Sequence, residues 1–196
     1  MKKNLALFDF DGTITYNDSF LEVIKFQKGK WAFYKGFLFM APIMVLFKLK
    51  VIPNWKAKEM VITYFFKGDT YQDFQKKCDD FAETIIPKML RPKANKKIEE
   101  HKKRGDRVVL VSASAENWLQ PWTKKMDIEL IGTQLETKDG LLTGKLCSPN
   151  CYGPEKLKRV LDILDLKEFE NIYVYGDSRG DKEILAIATE AYYRHF

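Results

Sequence analysis

Three short apolar stretches in this 196-residue sequence each end in side chains that can bind a metal ion or a phosphate. The stretches are LALFD (5–9), RVVLVS (107–112) and NIYVYGD (171–177). The polar residues that end or follow them are Asp9, Asp11 and Thr13 for the first, Ser112 and Ser114 for the second, and Asp177 and Asp181 for the third. Such runs are typical of buried parallel strands. Because parallel strands deliver their loops to one edge of the sheet, we expect these side chains to lie together.

A cluster of carboxylates sets a chemical requirement of its own. Like charges repel, so three or four carboxylates are tolerated together mainly when a hard cation lies among them, and Mg²⁺ prefers oxygen ligands. Lys156, in the segment GPEK ahead of the third stretch, and Ser112 can then bind the remaining oxygens of a phosphate. The combination predicts a magnesium-dependent phosphoryl-transfer site.

The spacing of the first two acids gives them different roles. Asp9 ends a predicted strand and is suited to attack phosphorus and form an aspartyl-phosphate. Asp11 can protonate the leaving alkoxide and then deprotonate the water that hydrolyses the intermediate. Gly12 permits a tight turn, and Thr13 can hydrogen bond back to hold it. The alternative is that Asp-Gly-Thr is only a turn and the other acids are helix caps; finding such loops repeatedly, in a consistent order, favours the site.

Helical patterns alternate with the predicted strands. Two of them are PKANKKIEEHKKRG (92–105) and GPEKLKRVLDILDL (153–166). This alternation predicts an α/β fold with a Rossmann-like parallel sheet that is covered by helices on both faces. The segment QLETKDGLLTGKL (134–146) carries an Asp139-Gly140 turn, which predicts a β-hairpin attached to that sheet.

The interval between the first two predicted strands is different. It begins with Ser19-x-x-Glu22, a capping-box pattern for a helix that ends at Gly29. Further helical patterns cover 57–66 and 70–86. We therefore predict an all-helical insertion that stands over the first acidic loop.

This interpretation divides the chain into two domains. The core comprises residues 1–15 and 88–196, and the helical cap comprises residues 16–87. The cap contains the uncharged run GFLFMAPIMVLF (36–47). Twelve residues do not distinguish a buried cap helix from a helix in a membrane interface. Extending the run to 31–53 reaches spanning length only by including three lysines and Pro42, which argues against a true span.

The net charge of +6 is concentrated in one segment. Between Val23 and Lys67 there are nine lysines and a single acid, Glu59, while the rest of the chain sums to −2. These lysines are interleaved with apolar residues instead of lining a polar groove, so nucleic-acid binding is not predicted.

The cysteines and the N-terminal sequence favour a cytoplasmic protein. Cys78, Cys147 and Cys151 are too few for a disulfide framework, and Cys147 and Cys151 lack a second pair with which to bind a metal. Asp9 and Asp11 interrupt the first apolar stretch before it reaches the length of an export signal.

Four sequence motifs, taken in order, resemble those of the haloacid-dehalogenase-like hydrolase superfamily. They are DFDGT (9–13), VVLVSAS (108–114), YGPEK (152–156) and GDSRGD (176–181). The helical insertion after the first motif is similar to the cap of the phosphoserine-phosphatase-like branch. The motifs extend over nearly the whole chain, so the resemblance implies an aspartate-based, magnesium-dependent phosphatase.

The resemblance also implies a role for each motif residue. Asp9 is the nucleophile and a metal ligand, Asp11 is the acid/base and binds the metal through its backbone carbonyl, and Asp177 completes the metal site. The predicted phosphate-binding residues are Thr13, Ser112 and Lys156. Gly12 and Asp181 support the site, Asp181 beside the metal or Lys156. Dehalogenases of the superfamily do not need the second aspartate, so the presence of Asp11 favours phosphate hydrolysis.

Phosphoserine fits this sequence poorly as the substrate. Relatives that act on it hold its charged groups with an acid at the cap entrance, a role open to Asp18, and with an arginine from the cap. No arginine occurs between residues 1 and 90, and lysine does not offer the same bidentate fork. Gly180 also occupies a position where those relatives tend to carry asparagine. Phosphoserine or another small metabolite therefore remains the alternative substrate.

A lipid phosphate is the other substrate class, and the one that the cap favours. The segment from Val23 to Lys67 holds eleven aromatic residues beside its lysines, a pattern of segments that lie in a membrane interface. The arrangement resembles the phosphatidylglycerophosphate phosphatases of the branch. We therefore expect a phosphorylated small molecule or lipid as partner, and peripheral contact with an anionic membrane surface if the apolar run faces outward.

Two hypotheses from other classes compete with the enzyme. A receiver-like signalling domain also uses an aspartate, Mg²⁺, a hydroxyl and a lysine, but Asp11 would shorten the life of its phospho-aspartate. A membrane-binding protein with decayed motifs would be expected to have lost one of the key residues, and all are present. Both hypotheses are weaker than the phosphatase.

Overall fold

The computed structural model describes residues 3–196, and its centre is a five-stranded parallel sheet. The strands are β1 (Lys3–Phe8), β2 (Arg107–Ala115), β3 (Glu129–Thr133), β6 (Phe169–Gly176) and β7 (Glu190–Tyr193), with β4 and β5 described below. Their order in the sheet is β3-β2-β1-β6-β7. The three strands predicted from the apolar stretches are the three central ones, so the α/β fold class and the parallel sheet are confirmed.

Helices cover both faces of the sheet. They are α1 (Ser19–Lys28), α2 (Lys30–Phe39), α3 (Ala41–Lys48), α4 (Asn54–Phe66), α5 (Tyr71–Thr84), α6 (Ile86–Met89), α7 (Pro92–Lys103), α8 (Glu116–Met126), α9 (Pro154–Ile163) and α10 (Lys182–Leu185). Side chains of β1 alternate between two cores, with Leu5 and Leu7 on one face and Ala6 and Phe8 on the other. The central strand is therefore buried on both sides, as its continuous apolar sequence requires.

Helices α1 to α6 follow β1 in the sequence and precede α7 and β2, where the chain rejoins the core. Helix α1 ends at Gly29, as predicted, where a φ of +83° favours glycine. The predicted capping box at its start is wrong, because the N-cap is Asp18 and not Ser19. The Asp18 carboxylate accepts hydrogen bonds from the backbone N–H groups of Phe20 and Leu21.

The apolar run 36–47 forms parts of two helices instead of one. Helices α2 and α3 meet at Met40 with a bend of 62°. Pro42, in the first turn of α3, explains the break, because proline has no N–H and its ring clashes with the carbonyl four residues earlier. Within residues 3–196, no single helix is long and apolar enough to cross a membrane, although this bent pair together meets the criteria of length and composition.

The predicted β-hairpin exists, but its predicted attachment is wrong. Strands β4 (Leu135–Lys138) and β5 (Leu141–Leu146) form a separate two-stranded antiparallel sheet around the Asp139-Gly140 turn. On its other edge, the hairpin backbone forms hydrogen bonds with the loop between α4 and α5. One of them runs from the Gly68 N–H to the Leu142 carbonyl, at 2.9 Å. The buried Leu142 side chain belongs to the same core as the cap helices, and this burial accounts for the placement.

Candidate active site

Asp9 and Lys156 form a buried ion pair at the carboxyl edge of the sheet. Asp9 directly follows β1, and Lys156 lies in the first turn of α9, with side chains 8% and 2% exposed. The Lys156 Nζ is 2.5 Å from Asp9 Oδ1 and 2.6 Å from Asp181 Oδ1. One lysine is thus shared by carboxylates from two different loops.

The loop after β1 packs closely against the loop after β6. The Thr13 hydroxyl lies 3.4 Å from both Asp9 Oδ2 and Asp177 Oδ1 and can donate to either. Gly12 has a φ of +86°, and a Cβ there would lie 2.5 Å from Asp177 Oδ2. A residue with a side chain at position 12 would therefore separate the two loops, so glycine is needed for conformation and for space.

Asp181 is fully buried and holds the loop after β6 in shape. While one of its oxygens pairs with Lys156, the other accepts hydrogen bonds from the N–H groups of Asp177 and Ser178, at 3.2 and 3.0 Å, and from the Ser178 hydroxyl at 2.9 Å. Asp181 therefore connects Lys156 to the backbone that carries Asp177.

Asp11 is held by groups from both the cap and the core. Its Oδ1 accepts from the backbone N–H of Ser19 at 2.6 Å, and its Oδ2 accepts from the Ser114 hydroxyl at 2.5 Å. The Ser19 and Ser114 hydroxyls are 3.0 Å apart, and the Trp118 indole N–H donates to that of Ser19 at 3.2 Å. These contacts fix the orientation of the Asp11 carboxyl.

Ser112 is buried beside this network. Its hydroxyl oxygen accepts from the backbone N–H of Ser114 at 3.0 Å, which orients its proton elsewhere. The contacts of Ser114 and Ser19 with Asp11 were not predicted from the sequence, which indicated Ser19 only as a helix-capping residue. The two-residue spacing of Ser112 and Ser114 could have indicated that both face the same side of β2.

Burial shifts the pKa values of these acids in one direction. The pKa of Asp9 is raised to about 7 by burial, against the opposing charge of Lys156. The pKa of Asp11 is raised to about 6 by burial and by the charge of Asp18, and the hydrogen bond from Ser114 opposes the rise. Burial and the charge of Asp181 also raise the pKa of Asp177. The ionised forms of these acids would all be stabilised by a cation placed between them.

The acids also have the spacing of a metal site. Within residues 3–196, Asp9, Asp177 and Asp181 form the group of three His, Cys, Asp or Glu side chains whose ligand atoms all lie within 4.8 Å of one another. The donors are all carboxylate oxygens, the ligand type that Mg²⁺ prefers. Cys147 is exposed while Cys151 is buried, and neither belongs to this group.

A cavity of about 390 Å³ lies above these residues, between core and cap. Its polar part includes Asp9, Asp11, Ser112, Lys156 and Ser178. Its apolar part comes from the cap and consists of Phe20, Leu21, Phe37, Met44, Phe47, Ala57 and Val61. Three of these apolar side chains, Phe37, Met44 and Phe47, belong to the uncharged run 36–47. One side of the run therefore faces the cavity.

Lys58 brings a positive charge into the cavity from the cap helix α4. Its Nζ donates to the Ala113 carbonyl at 2.5 Å and to Asn150 Oδ1 at 3.3 Å. Burial lowers the pKa of Lys58 to about 8, although Asp11 and Asp18 oppose this shift. Among the described residues, no carboxylate lies within 4.0 Å of its Nζ, so the charge is available to another acceptor.

Two residues considered for substrate selection have contacts of their own. Asp18 lines the cavity and is exposed, but its carboxylate already caps α1. Gly180 packs directly against the Tyr152 ring, and a Cβ at position 180 would clash with that ring. An asparagine there would displace Tyr152, which lines the same cavity.

The fold and the acidic edge define an α/β protein with a site of the type anticipated from the motifs, and comparison with known proteins gives the family. Residues 6–186 match the family model described as HAD, haloacid dehalogenase-like hydrolase. The chain therefore belongs to the haloacid-dehalogenase-like hydrolase family, and the prediction of an enzyme of this family is confirmed. The receiver-like hypothesis has no support in this match.

Two named relatives match nearly the whole chain. Protein CicA of Caulobacter vibrioides is 34% identical over 195 residues, which cover 98% of this chain and 86% of that protein. A histidinol-phosphatase of Neisseria meningitidis serogroup C is 24% identical, over 96% of this chain and 88% of the relative.

Solved structures show the same fold. A protein of unknown function from Bordetella pertussis Tohama I superposes with a TM-score of 0.84 at 23% identity, over 96% of this chain and 88% of that one. A substrate-bound phosphoserine phosphatase gives a TM-score of 0.63 at 19% identity, over 96% and 84%. Phosphatases thus occur among both the sequence relatives and the structural neighbours.

Proposed function

We propose that the protein is a magnesium-dependent phosphomonoester phosphatase that works through an aspartyl-phosphate on Asp9. The observation that carries this proposal is the convergence of Asp9, Asp177, Asp181 and Lys156 at one buried sheet edge. Asp9, Asp177 and the backbone carbonyl of Asp11 would hold Mg²⁺. Bound there, the ion would neutralise charge on the phosphate and on the attacking carboxylate. Thr13, Ser112 and Lys156 would bind the phosphate oxygens.

The reaction proceeds in two displacements at phosphorus. In the first, an Asp9 oxygen bonds to phosphorus as the bond to the leaving oxygen breaks, and Asp11 gives that oxygen its proton. In the second, water attacks phosphorus and loses a proton to Asp11 while the bond to Asp9 breaks, which releases inorganic phosphate. A pKa for Asp11 of about 6 suits a group that must give and take a proton near neutral pH.

The cavity supports a substrate with an apolar body and a second polar group. Cap side chains around the polar site supply an apolar wall, and they favour a partly hydrocarbon substrate. Lys58 would bind an anionic or carbonyl group on the substrate, because its charge has no carboxylate partner among the described residues. Lipid phosphates, including phosphatidylglycerophosphate, combine these features, and we propose this class first.

Two smaller substrates are the alternatives. The phosphoserine phosphatases among the structural neighbours support phosphoserine, and the Neisseria relative supports histidinol phosphate. Neither compound has the hydrocarbon to fill a wall formed by Phe37, Met44 and Phe47. A cytoplasmic location is also proposed, supported by cysteines that are all free in the structure.

Substituting the two aspartates tests the proposed reaction. With p-nitrophenyl phosphate and Mg²⁺, Asp9→Asn is expected to abolish turnover because the nucleophile is lost, and Asp11→Asn to reduce kcat by about 10²–10⁴-fold. The matched control is Asp162→Asn, an exposed acid of α9 outside the cavity. Full activity of Asp9→Asn would disprove the mechanism.

A substrate panel tests the substrate class separately. It compares phosphoserine, histidinol phosphate, phosphatidic acid and phosphatidylglycerophosphate by phosphate release, each at several concentrations to separate kcat from KM. We expect the highest kcat/KM for a lipid phosphate. Fast turnover of phosphoserine or histidinol phosphate alone would exclude the lipid class while leaving the phosphatase mechanism intact.

A further inference from the structure

Helices α2 and α3 carry an apolar outer face in addition to the one that meets the cavity. On α2, Trp31, Tyr34 and Leu38 are 90%, 61% and 77% exposed, and their spacing places them on one stripe of the helix. Phe39 at the end of α2 is also exposed, and beyond the bend so are Val45 and Leu46 of α3 and Leu49 and Val51 just after it. We call these eight side chains the outer face.

The outer face is not the partly exposed edge of the cap core, because other sides of these helices pack into that core. Helix α2 already buries Phe33 and Gly36 among the cap residues, and Met40 at the bend is buried as well. Phe37 and Met44 reach the cavity wall. Two sides of the helix pair therefore have partners within the chain. The side chains of the outer face stay exposed, although Tyr34 packs edge-on against Phe33 and Phe39 stacks on Tyr64. A group of eight exposed apolar side chains on one helix pair indicates a binding site.

The charges around the outer face specify the partner. Exposed lysines surround it: Lys30, Lys35, Lys48, Lys50 and Lys56. The chain contains no acid between Val23 and Lys58. An apolar surface bordered by positive charge is complementary to a surface that is apolar inside and anionic at its edge, as an anionic lipid bilayer is.

A second copy of the chain would be a poorer partner. A twofold dimer through the outer face would bring lysines of both copies together without an acid from this segment to offset them. The exposed aromatic side chains Trp31, Tyr34 and Trp55 are of the type enriched at membrane interfaces. The 62° bend and the buried inner side are consistent with a helix pair that lies along the bilayer surface.

We propose that the outer face of α2 and α3 docks the protein on anionic membranes. The exposed apolar side chains enter the interfacial layer, and the flanking lysines contact anionic headgroups. The proposal does not depend on the catalytic mechanism, but it would place the cavity wall formed by Phe37 and Met44 on the reverse side of the helices that touch lipid.

Vesicle cosedimentation of the full chain tests the proposal. The probes are phosphatidylcholine vesicles with and without one quarter phosphatidylglycerol. We expect binding to the anionic vesicles at least tenfold tighter than to the neutral ones, and weakened by 0.5 M salt. Replacing Lys48→Glu together with Lys50→Glu should reduce the partition coefficient at least tenfold, and Leu38→Ser with Phe39→Ser should do the same.

The control variant makes the same change of charge, two lysines to glutamates, on another surface of the protein. Lys124→Glu with Lys125→Glu alters two exposed lysines of the core helix α8 and should leave vesicle binding within twofold of wild type. Unchanged thermal unfolding and p-nitrophenyl phosphate hydrolysis establish that each variant is folded.

The proposal is overturned by the absence of binding to anionic vesicles, or by equal losses of binding in the control variant. A concentration-dependent dimer in sedimentation velocity, disrupted by Leu38→Ser with Phe39→Ser and without vesicle binding, would assign the face to a second copy instead.

Discussion

Asp11 is the side chain at which the cap and the core of the site meet. Its carboxyl is bonded to the first residue of the first cap helix and to Ser114 of the second core strand. Movement of the cap that displaced Ser19 would remove one of the two contacts and change the proton affinity of Asp11. The position of the cap and the acid/base chemistry proposed for Asp11 would thereby be coupled at a single residue.

Lys58 gives the sharpest prediction at the scale of residues. Lys58→Met should raise KM for substrates with a second anionic group by tenfold or more, because the ammonium that would bind that group is lost. KM for p-nitrophenyl phosphate, which lacks such a group, should change less than threefold. In wild type, KM for the anionic substrates should also rise with pH above about 8, where the lysine loses its proton.

Steady-state kinetics between pH 6 and 9 measure both effects. The control is Lys67→Met, an exposed lysine at the C-terminal end of the same helix. An equal rise of KM for all substrates in Lys58→Met, or a similar effect in Lys67→Met, would contradict a role in substrate selection.

Some site residues could be predicted from sequence and others could not. The predicted residues that meet in the structure, such as Asp9, Lys156 and Asp177, lie next to the strands of a parallel sheet, whose edge brings loops together whatever their side chains. Lys58 depends instead on how one cap helix packs over the core. Its helical alignment with Asn54 and Val61, which also line the cavity, is a local signal that distinguishes it from other lysines of the segment.

At the scale of elements, the β4–β5 hairpin joins the cap to the rest of the chain. Gly144 of β5 has a φ of +84°, and a Cβ there would lie 2.5 Å from the Thr63 Cα of α4. The Thr63 hydroxyl donates to the Gly144 carbonyl at 3.1 Å. Strand and helix backbones approach closely at this point because no side chain separates them.

Gly144→Ala should therefore destabilise the protein by about 2–4 kcal/mol, since it combines an unfavourable backbone conformation with a clash against helix backbone. Gly140→Ala is the matched control. Gly140 has a φ of +76° but open space around its Cβ position, so only the conformational cost of about 1–2 kcal/mol is expected. Urea unfolding followed by circular dichroism measures both. Equal losses in the two variants would mean that the contact with Thr63 contributes nothing.

Element prediction failed where burial depends on distant partners. The edge strands β3 and β7 were not predicted, because β7 is largely exposed and both lack the long apolar runs of the central strands. The hairpin was predicted from its turn, but its placement against α4 rests on Leu142 and Gly144, which no local pattern connects to the cap. The break at Met40 was foreseeable, since Pro42 lies within the run.

At the scale of the whole molecule, the site contains carboxylates whose charged forms are unfavourable without a cation. Burial and the charge of Asp181 raise the pKa values of Asp9 and Asp177, so the folded protein without a cation bears a cost that the unfolded chain does not. A ligand that binds only the folded state stabilises the whole cooperative unit. Metal binding should therefore be visible in unfolding, independently of any substrate.

Addition of Mg²⁺ is expected to raise the melting temperature of the metal-free protein. At one hundred times the dissociation constant, the gain in the free energy of unfolding is about 2.7 kcal/mol, which corresponds to about 5–10 °C for a chain of this size. Asp177→Asn should lose most of this increment. Without Mg²⁺, its melting temperature should be no lower than that of wild type, because the substitution removes a charge that lies beside Asp181. Asp162→Asn, which changes an exposed acid of α9, should retain the full increment. Differential scanning calorimetry with and without Mg²⁺ compares the three proteins, and an increment that survives in Asp177→Asn would place the metal elsewhere in the molecule.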